Sequence, residues 1–192
     1  MSNLIIRRLL SRAADTGNYS HDELDMIRYS AQSILGEIEK ILILLIVFSL
    51  LGKGWIFILL VFVLLSIRIN AGGYHSKTYF GCLLFTFFIF SFAILLLPQI
   101  PVHQDLVYGI AWVCVVNTAI FAPVSSEQKE AFMKQPHKKK LLACLITVVW
   151  LIVIRFLDES IMIPAIYLII MQNLQLTIAY FIKKEEKICQ KV

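Results

Sequence analysis

The chain has 192 residues, 59% of them hydrophobic and 16% charged, with a mean hydropathy of +0.78. That balance excludes an ordinary soluble domain and describes an integral membrane protein. Its 18 Lys and Arg against 13 Asp and Glu leave a net +5, an excess that acts through its position beside membrane segments and is a poor sign of nucleic-acid binding.

Residues 3–12 mix Leu and Ile with Arg7, Arg8 and Arg12, which suits a short amphipathic helix on an anionic membrane surface, too short to span it. Gly17 and Asn18 interrupt the chain. Ser20 and Glu23 then form a capping-box pattern, and Leu24, Ile27, Ala31, Ile34 and Ile38 recur at helical spacing. Residues 1–40 are therefore expected to be amphipathic helices in the cytoplasm or at the interface, running into a first span. No small-residue cleavage site follows the first apolar run, so the first membrane helix is expected to act as the signal.

Apolar runs follow at 41–52, 55–67, 79–97, 106–122, 141–157 and 161–182. A spanning helix needs about 20 apolar residues, with about 17 acceptable, and the last four runs qualify directly. The first two are either two helices joined at Gly52-Lys53-Gly54 or one long helix with a lysine in its middle. Basic residues decide between them. Arg7, Arg8, Arg12, Arg28 and Lys40 precede the first run, Arg68 and Lys77 follow the second, Lys129, Lys134, Lys138, Lys139 and Lys140 fill the loop at 123–140, and Lys183, Lys184, Lys187 and Lys191 form the tail. Six spans put all four basic segments in the cytoplasm, whereas five strand the N-terminal one outside. The expectation is an all-α integral membrane protein of about six transmembrane helices with both termini cytoplasmic. Residues 41–182 form its polytopic domain and 183–192 a basic cytoplasmic tail.

Between the second and third runs lies a polar interruption, Arg68-Ile-Asn-Ala-Gly-Gly-Tyr-His-Ser-Lys-Thr-Tyr-Phe-Gly-Cys82, at the cytoplasmic face in this topology. Cys82 falls within about a turn of the inner end of its helix, where water is expected to reach it. A cysteine nucleophile needs a thiolate, and a nearby imidazole takes the proton and later returns it to a leaving amine. His75 and Cys82 offer that pair. Gly72 and Gly73 permit backbone conformations and close approaches closed to other residues, and N–H groups at the start of the third helix are candidates to stabilise an oxyanion. In one continuous helix the two side chains would share a face but stand about 10 Å apart along the axis, so the chain must break or fold back between them, unless the pair forms across two subunits.

The pattern of Arg68, Gly72-Gly73, His75 and Cys82 between two membrane segments resembles that of the AgrB family, the accessory gene regulator B peptidases of Gram-positive quorum sensing. The basic N-terminal region, Ala122-Pro123 after a later span and the lysine-rich loop extend the resemblance over nearly the whole chain. The resemblance implies a cysteine endopeptidase of the bacterial cell membrane, acting on a small precursor peptide of the AgrD type at the C-terminal side of its future signal segment. An acyl-enzyme forms, and an internal Cys or Ser of the peptide displaces the enzyme to close a thiolactone or lactone ring. Carried over, Cys82 is the nucleophile and His75 the general base and acid, with Arg68, Gly72 and Gly73 in supporting roles. The contrasting reading, from another class, is a small peptide exporter in which Cys82 has no catalytic part.

No third member of the site announces itself. Asn70, Ser76, Glu37 and Glu39 are all candidates to orient His75, and a dyad is expected. The cluster of Lys134, Lys138, Lys139 and Lys140 either holds its loop in the cytoplasm or attracts an acidic segment of the precursor. Asn117, Gln172, Asn173 and Gln175 lie inside apolar runs and read as interhelical glue, with a peptide path as the alternative. No cofactor is expected, and His21, His75, His103 and His137 show no H-E-x-x-H spacing for a metal. The four cysteines, Cys82, Cys114, Cys144 and Cys189, suggest no disulfide framework. The partners expected are the precursor peptide and the lipid bilayer, with no nucleic acid and with a homodimer left open.

Overall fold

The computed structural model describes residues 21–74, 78–100, 103–124 and 135–189. Residues 1–20, with the expected surface helix, its three arginines and Ser20, lie outside them, as do His75, Ser76, Lys77, Lys129 and Lys134. Six α-helices carry most of the described chain: α1 (His21–Leu50), α2 (Gly54–Ala71), α3 (Tyr79–Ser91), α4 (Gln104–Phe121), α5 (Pro136–Ile154) and α6 (Glu159–Cys189). The chain divides into two compact units, Met1–Leu51 and Gly52–Val192.

The first unit is built on α1, which continues without a break from its charged start into the apolar run at 41–50. Lys40 is buried and donates to the Glu37 carboxylate one turn earlier, at 2.6 Å. Gly52 ends the helix with φ +69, a left-handed conformation that glycine adopts at little cost, and α2 starts at Gly54. The Gly52-Lys53-Gly54 stretch is thus a joint between two helices.

In the second unit α2 packs on α5 and α6, and α4 packs on α5 and α6. Leu60, Ile67, Leu151, Ile166, Ile169 and Leu176 are fully buried, and the Phe57 and Phe90 rings meet at 4.8 Å between centroids. In lipid the surroundings are as apolar as these side chains, so cohesion comes from close packing and interhelical hydrogen bonds. Three sets of such bonds tie the helices together. Trp150 Nε1 donates to Ser66 Oγ at 2.7 Å, and the Tyr108 hydroxyl donates to the Leu151 carbonyl at 2.9 Å. Asn117 Nδ2 donates to the Asn173 side-chain oxygen at 3.2 Å and to Thr177 Oγ1 at 3.0 Å, and Thr118 Oγ1 donates to Asn173 Oδ1 at 2.9 Å. The interhelical glue expected of Asn117 and Asn173 is therefore a bonded cluster joining α4 to α6.

α3 loosens into a π turn (Phe92–Leu96) and a 3₁₀ turn (Leu97–Gln99). The cause is Pro98, which has no N–H to offer a preceding carbonyl and whose ring crowds the turn before it. Outward-facing side chains are apolar along most of the helices, with Ile46, Leu50, Phe62, Ile69, Val113 and Ile120 exposed, a surface that water would not tolerate.

By length and composition, three helices among the described residues can cross a membrane: Gly54–Ala71, Tyr79–Gln99 and Glu159–Glu186. Asp105–Phe121 is apolar but shorter. Each of the six expected runs lies on a helix. α1 and α5 fall outside the set of three because their apolar stretches share the helix with Glu37, Glu39 and Lys40 in the one and Lys138, Lys139 and Lys140 in the other. The molecule is an all-helical membrane protein.

Candidate active site

The polar interruption between α2 and α3 is held from three sides. α2 ends at Ala71 because Gly72, at φ +78, turns the chain out of the helix while its N–H still donates to the Arg68 carbonyl at 2.8 Å. A Cβ on Gly72 would lie 1.7 Å from the Val124 carbonyl oxygen, so only glycine fits there. Val124 follows the cis Ala122-Pro123 bond at the end of α4, and its N–H donates to the Ala71 carbonyl at 2.9 Å. Gly72 and Val124 form an isolated parallel bridge, a fragment of extended pairing among helices.

The second hold comes from α2 itself. Arg68 Nη2 reaches forward past the glycines to the Tyr74 carbonyl, at 2.7 Å. The third comes from α6, where Gln172 Nε2 donates to the Gly72 carbonyl at 2.9 Å and the Gln172 side-chain oxygen accepts from Gln175 Nε2. Gln172 is 1% exposed and Gln175 2%. A Cβ on Gly73 would stand 3.5 Å from Gln172 Nε2, 3.6 Å from Arg68 Nε and 3.8 Å from Gln175 Cδ, so this glycine is ringed by the three side chains that fix the loop.

The extended backbone and side chain of Thr78 cap α3: Thr78 Oγ1 accepts from the Gly81 N–H at 3.1 Å, and its carbonyl accepts from the Cys82 N–H at 3.1 Å. Thr78 has φ −115 and ψ 144, so no unbroken helix runs from His75 to Cys82, the condition the spacing set for the pair. The placement of His75 itself lies outside the described residues.

Cys82 sits in the first turn of α3, as expected, but it is buried, only 6% exposed. The Tyr74 ring packs edge-on against Phe85 at 5.4 Å, and Phe85 shares the Cys82 face of α3 one turn on. The loop thus folds back along the start of the helix, where the sequence suggested an end open to water. Along α6, Gln172 lies about 20 Å from the helix start and Lys183 about 16 Å further on, at 1.5 Å per residue. The loop is therefore anchored well inside the apolar length of that helix.

Of the other predicted residues, Ser76 and Lys134 lie outside the described residues. Among the described residues, Asn70 contacts the Ser66 carbonyl on its own helix, at 3.5 Å from Nδ2. Glu37 is engaged with Lys40. Lys138, Lys139 and Lys140 occupy the first turn of α5 behind Pro136, with Lys138 exposed.

Gln172 holds the glycine loop and Gln175 bonds to Gln172, where the sequence suggested helix association for both. The one signal for it is their i, i+3 spacing on an apolar helix, which puts two amides on one face. Val124 and its pairing with Ala71 had no sequence signal beyond the preceding Ala-Pro.

The family model for accessory gene regulator B matches residues 2–179. A protein of Clostridium beijerinckii described as AgrB-like is 30% identical over 129 residues, which are 66% of this chain and 63% of the relative. The match thus spans a little under two thirds of that relative's length. No solved structure matches the chain. With a family match over nearly its whole length, the chain belongs to the AgrB family.

Proposed function

We propose that this chain is a multi-pass membrane cysteine endopeptidase that cleaves a small AgrD-like precursor and promotes its cyclisation to a thiolactone or lactone signal peptide. Membership of the AgrB family, which is associated with peptide processing in quorum sensing, supports the substrate class. The observation that carries the chemistry is the placement of Cys82: a buried thiol in the first turn of α3, entered from a loop whose backbone is fixed by Arg68, Gln172 and Val124.

In this reading Cys82 Sγ attacks the scissile carbonyl and His75 takes the thiol proton. The tetrahedral oxyanion forms near the helix start, where the N–H groups of Tyr79 and Phe80 have no intrahelical acceptor and the helix dipole favours negative charge. Collapse breaks the C–N bond, the leaving amine takes the proton from His75, and a thioester joins the peptide to Cys82. An internal thiol or hydroxyl of the peptide then attacks this thioester. The ring closes and the Cys82 sulfur leaves with its electron pair, regaining a proton for the next turnover. Burial serves both steps, since water excluded from the thioester cannot hydrolyse it before the ring closes.

The exporter reading finds little support in the polar residues it would use, because Asn117, Thr118, Asn173 and Thr177 bond to one another. The deciding test is co-expression with the small open reading frame beside the gene, followed by mass spectrometry. A cleaved and dehydrated peptide, lost in both Cys82→Ala and His75→Ala while the variants still reach the membrane, is the expected result. Export that continues unchanged in Cys82→Ala would exclude the enzyme.

A further inference from the structure

The Gln172 and Gln175 amides form a chain with a direction. The Gly72 carbonyl can only accept, so Gln172 must turn its NH₂ toward it and its oxygen away. That oxygen in turn requires the NH₂ of Gln175, which leaves Gln175 Oε1 at the end of the chain, buried and with no donor among the described residues. An unpaired buried acceptor costs about 1–3 kcal/mol, a cost a leucine at 175 would avoid. Packing alone does not explain it. Rules broken locally, with compensation elsewhere, are characteristic of functional sites.

Arg68 works on the same few residues from the other side, fixing the Tyr74 carbonyl one residue before His75. Between them, α2 and α6 fix two of the three carbonyls at 72–74, and the glycines between make that close approach feasible.

We propose that Gln172 and Gln175 are positioning residues of the Cys82 site: Gln172 sets the Gly72 carbonyl and with it the course of the chain into His75, and Gln175 sets the orientation of Gln172. The proposal rests on the peptidase reading above. It assigns α6, about a hundred residues downstream of the motif, a part in catalysis that touches neither substrate nor the reacting atoms.

The test uses the full chain in membranes, with Cys114, Cys144 and Cys189 replaced by serine so that iodoacetamide reports on Cys82 alone. The alkylation rate is followed against pH in the parent and in His75→Ala, Gln172→Leu and Gln175→Leu. His75→Ala is expected to slow alkylation near neutral pH about tenfold and flatten its pH profile, and both glutamine variants to move at least halfway to that profile, the loss of one buried hydrogen bond being worth about a factor of ten. Gln175→Leu removes the unpaired acceptor and keeps the test open should Gln172→Leu fail to fold. A parent that shows the His75-dependent profile, with a folded Gln175→Leu that keeps it in full, overturns the positioning role alone. A parent whose alkylation ignores His75 overturns the peptidase reading, and the positioning role with it.

Discussion

Gln172 and Gly72, a hundred positions apart in the chain, are joined by a hydrogen bond of 2.9 Å from the side-chain amide to the backbone carbonyl. The same glycine stands so close to Val124 that a methyl group has no room. The loop between α2 and α3 therefore takes its shape from α6 and from the end of α4, and disturbing its backbone must be felt in both.

The two glycines are predicted to differ. Gly72→Ala places a Cβ 1.7 Å from the Val124 carbonyl oxygen at a φ of +78, so the bridge to Val124 must open; left-handed strain alone is worth about 1–3 kcal/mol. Gly73→Ala meets only ordinary contacts, the nearest at 3.5 Å, though its φ of +155 is also unfavourable to a side chain. Precursor processing is expected to vanish in the first and to fall only in part in the second, with thermal unfolding in detergent showing the same order. Equal behaviour would mean that Val124 does not press on the loop.

Arg68 is a separate case because its bond to the Tyr74 carbonyl is charge-assisted and half-buried. Arg68→Ala should lower the initial rate of precursor cleavage by about 10- to 100-fold, as expected for a lost bond to a charged group of about 1.5–3 kcal/mol. Arg68→Lys should recover little, since an ammonium lacks the planar fork that spans from α2 to the loop. Quantitative rates at matched membrane abundance check both. A lysine variant with parental activity would show that charge, not geometry, is the requirement.

The helices were legible in the sequence because hydropathy and the glycine pair at 52 and 54 are local signals. The motif at 68–82 was legible for the same reason, as a polar interruption between apolar runs. What holds that motif was not, because it comes from Gln172, Gln175 and Val124, which only the packing of α6 against α2 and the bridge just past the end of α4 bring near. Gln172 and Asn173 are neighbours of similar polarity in one apolar run, yet Asn173 faces α4 and Gln172 faces the loop. Composition cannot separate two residues about 100° apart on a helix without knowing what each face meets. The burial of Cys82 was missed on the same grounds, since it depends on how the chain packs around the start of α3.

The cluster of Asn117, Thr118, Asn173 and Thr177 is predicted to act on stability alone. Asn117→Leu and Asn173→Leu should each destabilise, and the double variant should lose less than the sum, with a coupling of about 0.6–2 kcal/mol typical of interhelical hydrogen bonds in membranes. A double-mutant cycle on detergent unfolding measures it. Additive losses would show that the two side chains do not bind each other.

The lysines of α5 give the last prediction. Lys138, Lys139 and Lys140 fill the first turn of a helix, the end at which the dipole favours negative charge, so they work against the helix that carries them. Their replacement by glutamine should leave that helix as stable or better by a few tenths of a kcal/mol. Two other roles remain, and they separate experimentally. If the cluster only holds its end of α5 in the cytoplasm, the glutamine variant alters topology reporters and leaves precursor affinity untouched wherever orientation is preserved. If it gathers an acidic precursor segment, affinity falls and its dependence on salt flattens, because three of the charges that released ions on binding are gone. The first outcome is expected, measured as precursor binding to correctly oriented protein across a salt series. A flattened salt slope would show instead that the lysines gather the precursor.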